Sequence, residues 1–188
     1  MGGIVESVGD ASSILLQEPS MGGDRGYCTE LLTEGIDPAG VLFVTYTRDA
    51  GACLDQVGGP TDLRIGVITV GDGSSPDVAN AETRSVSSAS DLTGLGIEID
   101  DILGSWASPV AVCFDSLTAM LQYVEFETAY EFLHATTGRF YAADARAHYH
   151  IDPAAHDPTH VAGITSLMDA VITVEDGEAA VRTRELMA

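Results

Sequence analysis

Apolar runs of strand length alternate along this chain with segments of helical periodicity. The predicted strands are 13–17, 41–46, 63–70, 110–114, 147–151, 170–174 and 179–184, and the polar segment 72–91 is predicted to be a loop with room for one short strand near 84–86. The predicted helices are 27–34, 50–57, 93–106, 117–122, 125–143 and 160–168. This alternation predicts an α/β fold.

The strand patterns also predict how the sheet is built. Val41–Val44 and Val110–Phe114 are continuously apolar, which is typical of strands covered on both faces. We therefore expect a mostly parallel central sheet with helices on both faces. The turn at Asp176-Gly177 predicts that the last two strands form a C-terminal β-hairpin. No repeat or linker interrupts the pattern, so residues 1–188 are expected to form a single domain.

The charge of the chain restricts its partners. It carries 29 acidic residues and 8 basic ones, all arginines, for a formal net charge of −21. Direct binding to nucleic acid is not expected, because phosphate backbones require a basic surface, and binding to an anionic membrane is disfavoured for the same reason. The acidity fits either an interaction patch for basic partners or a surface adapted to multimolar salt. Because the acids are spread over the whole length, we favour salt adaptation, which implies the cytoplasm of an extreme halophile.

The cysteines and the N-terminus support a cytoplasmic location. Cys28, Cys53 and Cys113 are scattered and predict neither a disulfide framework nor a CxxC metal knuckle. Cys113 lies within an apolar strand and is expected in the core. The N-terminal segment has neither a basic stretch nor a long apolar run, so it does not resemble a signal peptide, and no segment reaches the length of a membrane span.

One predicted strand ends in a motif of reactive and hydrogen-bonding side chains. Val110–Phe114 leads directly into Asp115, Ser116 and Thr118. This segment resembles the Walker B strand of the KaiC branch of the RecA family, in which the strand-end aspartate holds the water shell of Mg²⁺. Residues 14–25 stand where the Walker A loop would be, between the first strand and the first helix. If a nucleotide binds, the resemblance implies that the binding residues are Ser20, Gly22, Gly23, Arg25, Asp115 and Ser116.

The chain differs from a functional P-loop at each key position of the motif. In an alignment on Pro19 and Gly23, Glu18 replaces the leading glycine, Asp24 replaces the lysine and Arg25 replaces the Ser or Thr metal ligand. Carboxylate at the lysine position would repel phosphate by about 4 kcal/mol for one contact at ~4 Å and an effective dielectric constant near ~20. Thr47-Arg48 stands where the family places its catalytic glutamate.

These losses favour a pseudo-ATPase. The chain resembles degenerate haloarchaeal RecA/KaiC-like proteins of unknown function. The resemblance implies a non-catalytic regulatory or interaction domain with no cofactor and no catalytic residue. Such a domain would act through a protein partner or by self-association, for example as a homodimer. The alternative is a nucleotide-binding protein with an atypical P-loop that uses Arg25. If no phosphate binds, Asp115 is expected to cap the helix that follows it.

A second alternative is a metal-binding protein. His148 and His150 alternate on one predicted strand and therefore point to the same face. His156 and His160 follow in a loop rich in aspartate and proline, and imidazoles at such positions can bind Zn²⁺ or a similar ion. The spacing of His148, His150, His156 and His160 matches no specific metal-binding signature, and loops of this composition are usually solvated turns.

Salt adaptation predicts that the fold depends on ionic strength. In dilute buffer the unscreened repulsion among 29 acidic residues should unfold the chain, whereas multimolar KCl should restore it. Circular dichroism over a KCl titration measures this directly. A full helical signal without added salt would contradict salt adaptation.

Overall fold

A computed structural model describes residues 3–21, 26–58, 62–71 and 78–184. The strands are β1 (Ser13–Gln17), β2 (Gly40–Thr45), β3 (Arg64–Val70), β4 (Glu82–Val86), β5 (Val110–Asp115), β6 (Ala145–Ile151), β7 (Ala170–Glu175) and β8 (Glu178–Thr183). The helices are α1 (Ile4–Val8), α2 (Gly26–Thr33), α3 (Ala50–Gln56), α4 (Leu92–Ser105), α5 (Leu117–Met120), α6 (Phe126–Ala142) and α7 (Pro158–Thr165), with a short 3-10 helix at Pro153–Ala155. Within the described ranges, no helix is long and apolar enough to cross a membrane.

All the strands join one eight-stranded sheet in the order β4-β3-β2-β5-β6-β1-β7-β8. Every neighbouring pair is parallel except β7 and β8, which pair antiparallel from Ala170–Thr183 to Glu175–Glu178. The predicted α/β fold, mostly parallel sheet and C-terminal hairpin are therefore confirmed. Strands β1, β2 and β5 are buried along most or all of their length, as their apolar sequences predict.

Alternate residues of the central strands pack against helices on opposite faces. One face contributes to a large apolar cluster with α4, α5, α6 and α7, and its strand residues include Leu15, Leu42, Val44, Val112, Phe114 and Tyr149. The other face packs against α2 and α3, and its strand residues include Val41, Phe43, Ala111 and Cys113. A third cluster, which includes Ile14 and Leu16, joins α1 and α2 to β7. Helices thus cover both faces, as expected.

Three local features differ from the sequence prediction. Helix α1 was not predicted because it has only 5 residues, fewer than periodicity needs for recognition; its Ile4 and Val8 are nevertheless buried. Strand β4 begins at Glu82, earlier than the expected short strand. Helix α7 begins at Pro158 because the carboxylate of Asp157 caps it, accepting a 2.8 Å hydrogen bond from the Thr159 amide.

A tryptophan ring packs closely against two glycines of the sheet. The indole of Trp106 donates a 3.1 Å hydrogen bond to Glu82, and the Arg64 guanidinium lies 5.0 Å from its ring centroid. A β-carbon at Gly40 would stand 2.6 Å from this ring, and one at Gly66 would stand 2.8 Å from it. Both positions therefore require the absence of a side chain.

Gly66→Ala should destabilise the fold by about 1–3 kcal/mol, because the added methyl forces the fixed indole to move. Urea unfolding in multimolar KCl measures the change in the free energy of unfolding. Gly138→Ala is the matched control, since a β-carbon there meets nothing within 4 Å and the residue lies inside α6; it should stabilise by about 0.5–1 kcal/mol. Equal effects of the two substitutions would refute the packing argument.

Candidate functional site at the carboxyl edge of the sheet

A cleft of about 390 Å³ opens where the carboxyl ends of β1, β2, β5 and β6 meet. The chain leaves β2 towards β3 on one side, and it leaves β5 towards β6 on the other. Ligands of open α/β sheets bind at such a reversal, outside the carboxyl ends of the strands. The lining includes Glu18, Ser20, Thr47, Asp115, Ser116, Thr118, His150 and Asp152. This cleft is therefore the principal candidate for a ligand-binding site.

The cleft brings together several residues that the sequence marked for nucleotide binding. Ser20, Asp115 and Ser116 all line it. Gly22, Gly23, Asp24 and Arg25 lie outside the described residues. The backbone amide of Ser20 donates a 2.9 Å hydrogen bond to the carboxylate of Asp152, and this contact is the main reason that the pKa of Asp152 is lowered. The N–H group of Ser20 is thus engaged by a carboxylate of the protein.

Asp115 lies at the end of β5 and is almost completely buried. Its carboxylate is 3.8 Å from the guanidinium of Arg48. The expectation that Asp115 caps the next helix is wrong: the cap of α5 is Ser116, whose hydroxyl accepts a 3.1 Å hydrogen bond from the Ala119 amide. The difference arises because Asp115 is still within the strand, one residue before the position at which a cap can act.

Arg48 forms an ion pair with Asp115, and its guanidinium is also held by other acceptors. Besides Asp115, its guanidinium donates to the side-chain oxygen of Gln56 at 2.5 Å and to the backbone carbonyl of Ala52 at 3.1 Å. Sequence reasoning noted Arg48 only as the replacement for a catalytic glutamate. In the structure, its contacts fix the turn between β2 and α3 beneath the cleft.

The four candidate histidines lie in two separate environments. His156 and His160 belong to the segment 152–160, which we call the histidine loop, whereas His148 and His150 lie on β6. His156 makes a 3.0 Å hydrogen bond to the hydroxyl of Thr118, and burial lowers its pKa. His160 stacks on Phe126 with ring centroids 4.1 Å apart. These two side chains line a smaller pocket next to α5 and α6. The structure does not bring His156 and His160 together with the other two candidate ligands, His148 and His150, in a group that could share one ion.

His148 and His150 instead lie in a buried cluster with two cysteines. The ligand atoms of Cys28, Cys113, His148 and His150 all lie within 4.8 Å of one another. The Cys28 and Cys113 sulfurs are 3.5 Å apart, His148 Nε2 is 3.1 Å from the Cys28 sulfur, and His150 Nε2 is 3.4 Å from the Cys113 sulfur. All four side chains are buried, with exposed fractions of 4% or less. We call these residues the Cys/His cluster.

The sheet register and one helix assemble this cluster. Cys113 of β5 pairs directly with His148 of β6, and His150 follows two residues later on the same face, as the sequence predicted. Cys28 of α2 packs onto this face from above, in the apolar cluster that also contains Cys113. Sequence reasoning missed the two cysteines because each is isolated in the chain and its partners come from other elements. The only local signal was the alternation of histidines in a strand.

The charges of the cluster are unusual for a buried site. The pKa of Cys28 is held well below its usual value, chiefly by its hydrogen bond to Cys113 and then by His148, whereas burial raises the pKa of Cys113 well above it. Burial also opposes the charged form of His150, but Cys28 and Glu18 outweigh it and raise the pKa of His150 to about 10. His150 Nδ1 lies 2.7 Å from the carboxylate of Glu18. The surroundings of the cluster therefore favour the ionised form of Cys28 and the protonated form of His150.

The sequence comparison identifies the family. DUF7504, a family of unknown function, matches residues 11–174. The chain belongs to this family. The matched region of this DUF7504 member contains the whole cleft and the whole Cys/His cluster. No curated protein matches the chain.

A solved structure shares the fold. It comes from a structural study of a protein of Pyrococcus horikoshii OT3, and it matches this DUF7504 chain with a TM-score of 0.65 over 95% of this chain and 88% of the other. The two sequences are 14% identical, so the likeness concerns the fold and carries no activity from one protein to the other.

Thr118 connects the helix side of the cleft to the histidine loop. Its hydroxyl accepts a 2.9 Å hydrogen bond from the Asp152 amide and contacts His156. Thr118→Val should lower the free energy of unfolding by about 1–2 kcal/mol, because two partners lose a hydrogen bond. Urea unfolding gives this value.

Thr137→Val is the control for this substitution. The Thr137 hydroxyl donates to the carbonyl of His134 within α6, so its removal should change stability by less than about 0.5 kcal/mol. Similar losses at Thr118 and Thr137 would mean that the loop contact contributes nothing specific.

Proposed function

We propose that this protein is a non-catalytic RecA/KaiC-like domain that serves as a regulatory or interaction module in a salt-adapted cytoplasm. The observation that carries the proposal is the internal pairing of polar groups at the strand-end cleft. Glu18 bonds to His150, Asp115 faces Arg48, and Asp152 accepts from the Ser20 amide. The Ser20 amide and the Asp115 carboxylate, to which the resemblance assigns nucleotide binding, are thereby engaged by other groups of the protein.

Two placements support the RecA/KaiC-like ancestry. The segment that resembles a Walker A region, residues 14–25, runs from β1 to the start of α2, and the aspartate that resembles the Walker B residue ends β5. Glu18 of the first segment and Asp115 of the second line the same cleft. A phosphate-binding loop and a metal-binding aspartate would need this juxtaposition.

The electrostatics of the cleft support the absence of catalysis. Three of the lining side chains are carboxylates, at Glu18, Asp115 and Asp152, and like charges repel a polyphosphate strongly in a partly buried site. Arg48 is engaged by Asp115, Gln56 and Ala52. The chain contains no lysine, so the usual P-loop cation cannot come from elsewhere in this sequence.

A partner or a second copy would then bind at the surface. Met21 follows the cleft-lining Ser20 and is 91% exposed, and Tyr123 is 57% exposed close to the histidine loop. Large apolar side chains at such exposure offer contacts to another protein. The sheet also ends in β4 and β8, whose outer edges can pair with another strand.

The proposal predicts that nucleotides do not bind. In multimolar KCl with Mg²⁺, calorimetric titration with ATP or ADP should show no saturable heat, and no phosphate should be released. Asp115→Ala is the companion variant and should behave as the parent chain does in both assays, with only a loss of stability.

Micromolar binding or measurable turnover would overturn the proposal. If that binding also disappeared in Asp115→Ala, the result would support the alternative of a nucleotide-binding protein with an atypical P-loop. A second measurement, the oligomeric state by light scattering in the same salt, tests self-association separately.

A further inference from the structure

We propose that Cys28, Cys113, His148 and His150 form a tetrahedral Zn²⁺ site that fixes α2 to the central sheet. This inference goes beyond the proposed function and does not depend on it. Its ligand set also differs from the histidine loop that the sequence suggested, because two cysteines replace His156 and His160.

The spacing of the four ligand atoms fits zinc. With Zn–S distances of about 2.3 Å and Zn–N distances of about 2.0–2.1 Å, a tetrahedral site separates two sulfurs by roughly 3.8 Å and a sulfur from a nitrogen by roughly 3.5 Å. The two sulfurs of the cluster are 3.5 Å apart, and the sulfur–nitrogen distances are 3.1 and 3.4 Å. An outward shift of a few tenths of an ångström, chiefly by Cys28, would admit the ion.

The donor set selects the metal class. Two thiolates and two imidazoles in tetrahedral array are typical of zinc. The charges also balance, since two thiolates neutralise one divalent cation in a region where an unpaired charge is costly. All four ligands are buried and come from the protein, which is the pattern of a structural site and not of a catalytic one with an open water position.

Side chains around the cluster occupy the positions of supporting groups. Glu18 contacts His150 Nδ1 at 2.7 Å, which leaves Nε2 directed at the cluster, and a carboxylate on the outer nitrogen is the usual partner of a metal-bound histidine. The Gln56 amide donates to the Cys28 sulfur at 3.0 Å, and such a hydrogen bond stabilises a thiolate. His150 also lines the cleft, so an ion has a route in from the surface.

The cluster is difficult to explain as ordinary packing. Cys28 and Cys113 alone would behave as small apolar residues, but two histidines at the same point bring polar nitrogens into a buried region. The Nε2 atoms of His148 and His150 contact the sulfurs of Cys28 and Cys113, and sulfur is a weak hydrogen-bonding partner. A bound cation would satisfy all four groups at once.

The test is zinc binding by the full chain in multimolar KCl under reducing conditions, after removal of metal with a chelator. We expect one Zn²⁺ per chain by elemental analysis and a higher midpoint of thermal unfolding with zinc than without it. Co²⁺ should give the visible bands of a tetrahedral ion together with thiolate-to-metal charge-transfer absorption. The high salt suppresses weak binding to the acidic surface.

The three cysteines provide a matched set of variants. Cys28→Ala and Cys113→Ala should each abolish stoichiometric binding, whereas Cys53→Ala should retain it, because Cys53 is equally buried but lies outside the cluster. His156→Ala should also retain it. Glu18→Gln leaves the four ligands in place and should weaken zinc affinity by about 10–100-fold, so it tests the site even if a cysteine variant fails to fold.

Several results would overturn the proposal. They are substoichiometric zinc in the parent chain, a cobalt spectrum without the thiolate band, or an equal loss of binding in Cys53→Ala and Cys28→Ala. Loss of binding in His156→Ala with retention in Cys28→Ala would assign the metal to the histidine loop instead. A Cys28–Cys113 disulfide that persists under the reducing conditions and prevents zinc binding would also refute it.

Discussion

The in-register parallel pairing of β5 with β6 is the constraint on which both the core and the candidate site depend. It sets Cys113 beside His148 and Phe114 beside Tyr149. Because side chains alternate between the faces of a strand, the two aromatic rings enter the large apolar cluster, 5.5 Å apart, while the cysteine and the histidine face α2. A shift of one residue would reverse every one of these assignments. The packing of the aromatic core therefore also holds the polar cluster in position.

The cleft and the Cys/His cluster belong to one continuous polar network. From Asp115 the contacts pass to Arg48, from Arg48 to Gln56, and from Gln56 to the Cys28 sulfur. On the opposite side, Glu18 reaches His150 directly. In a buried region of low dielectric constant, the members of such a network stabilise one another. A change of charge at the mouth of the cleft therefore alters the electrostatic environment of the Cys/His cluster.

The sequence predicted those parts of the fold that depend on local pattern. Continuous apolar strands such as Val110–Phe114 were recognised, and so was the common direction of His148 and His150. It did not reveal that Cys28 and Cys113 meet these histidines, because the two cysteines are 85 positions apart in the sequence and only the docking of α2 brings them together. Local pattern likewise gave no sign that Thr118 and Phe126 would engage His156 and His160. These contacts are set by tertiary packing, which no spacing along the chain records.

Glu18 connects the two proposals physically. In a P-loop the corresponding position is glycine, which allows the backbone to approach the phosphates closely. The carboxylate of Glu18 lines the cleft, where its charge repels a polyphosphate. The same carboxylate is 2.7 Å from Nδ1 of His150, within hydrogen-bonding distance. A carboxylate in that position increases the basicity of the imidazole and fixes its orientation towards a metal. Under the two proposals, one carboxylate both disfavours nucleotide binding at the edge of the sheet and supports metal binding at the adjoining Cys/His cluster.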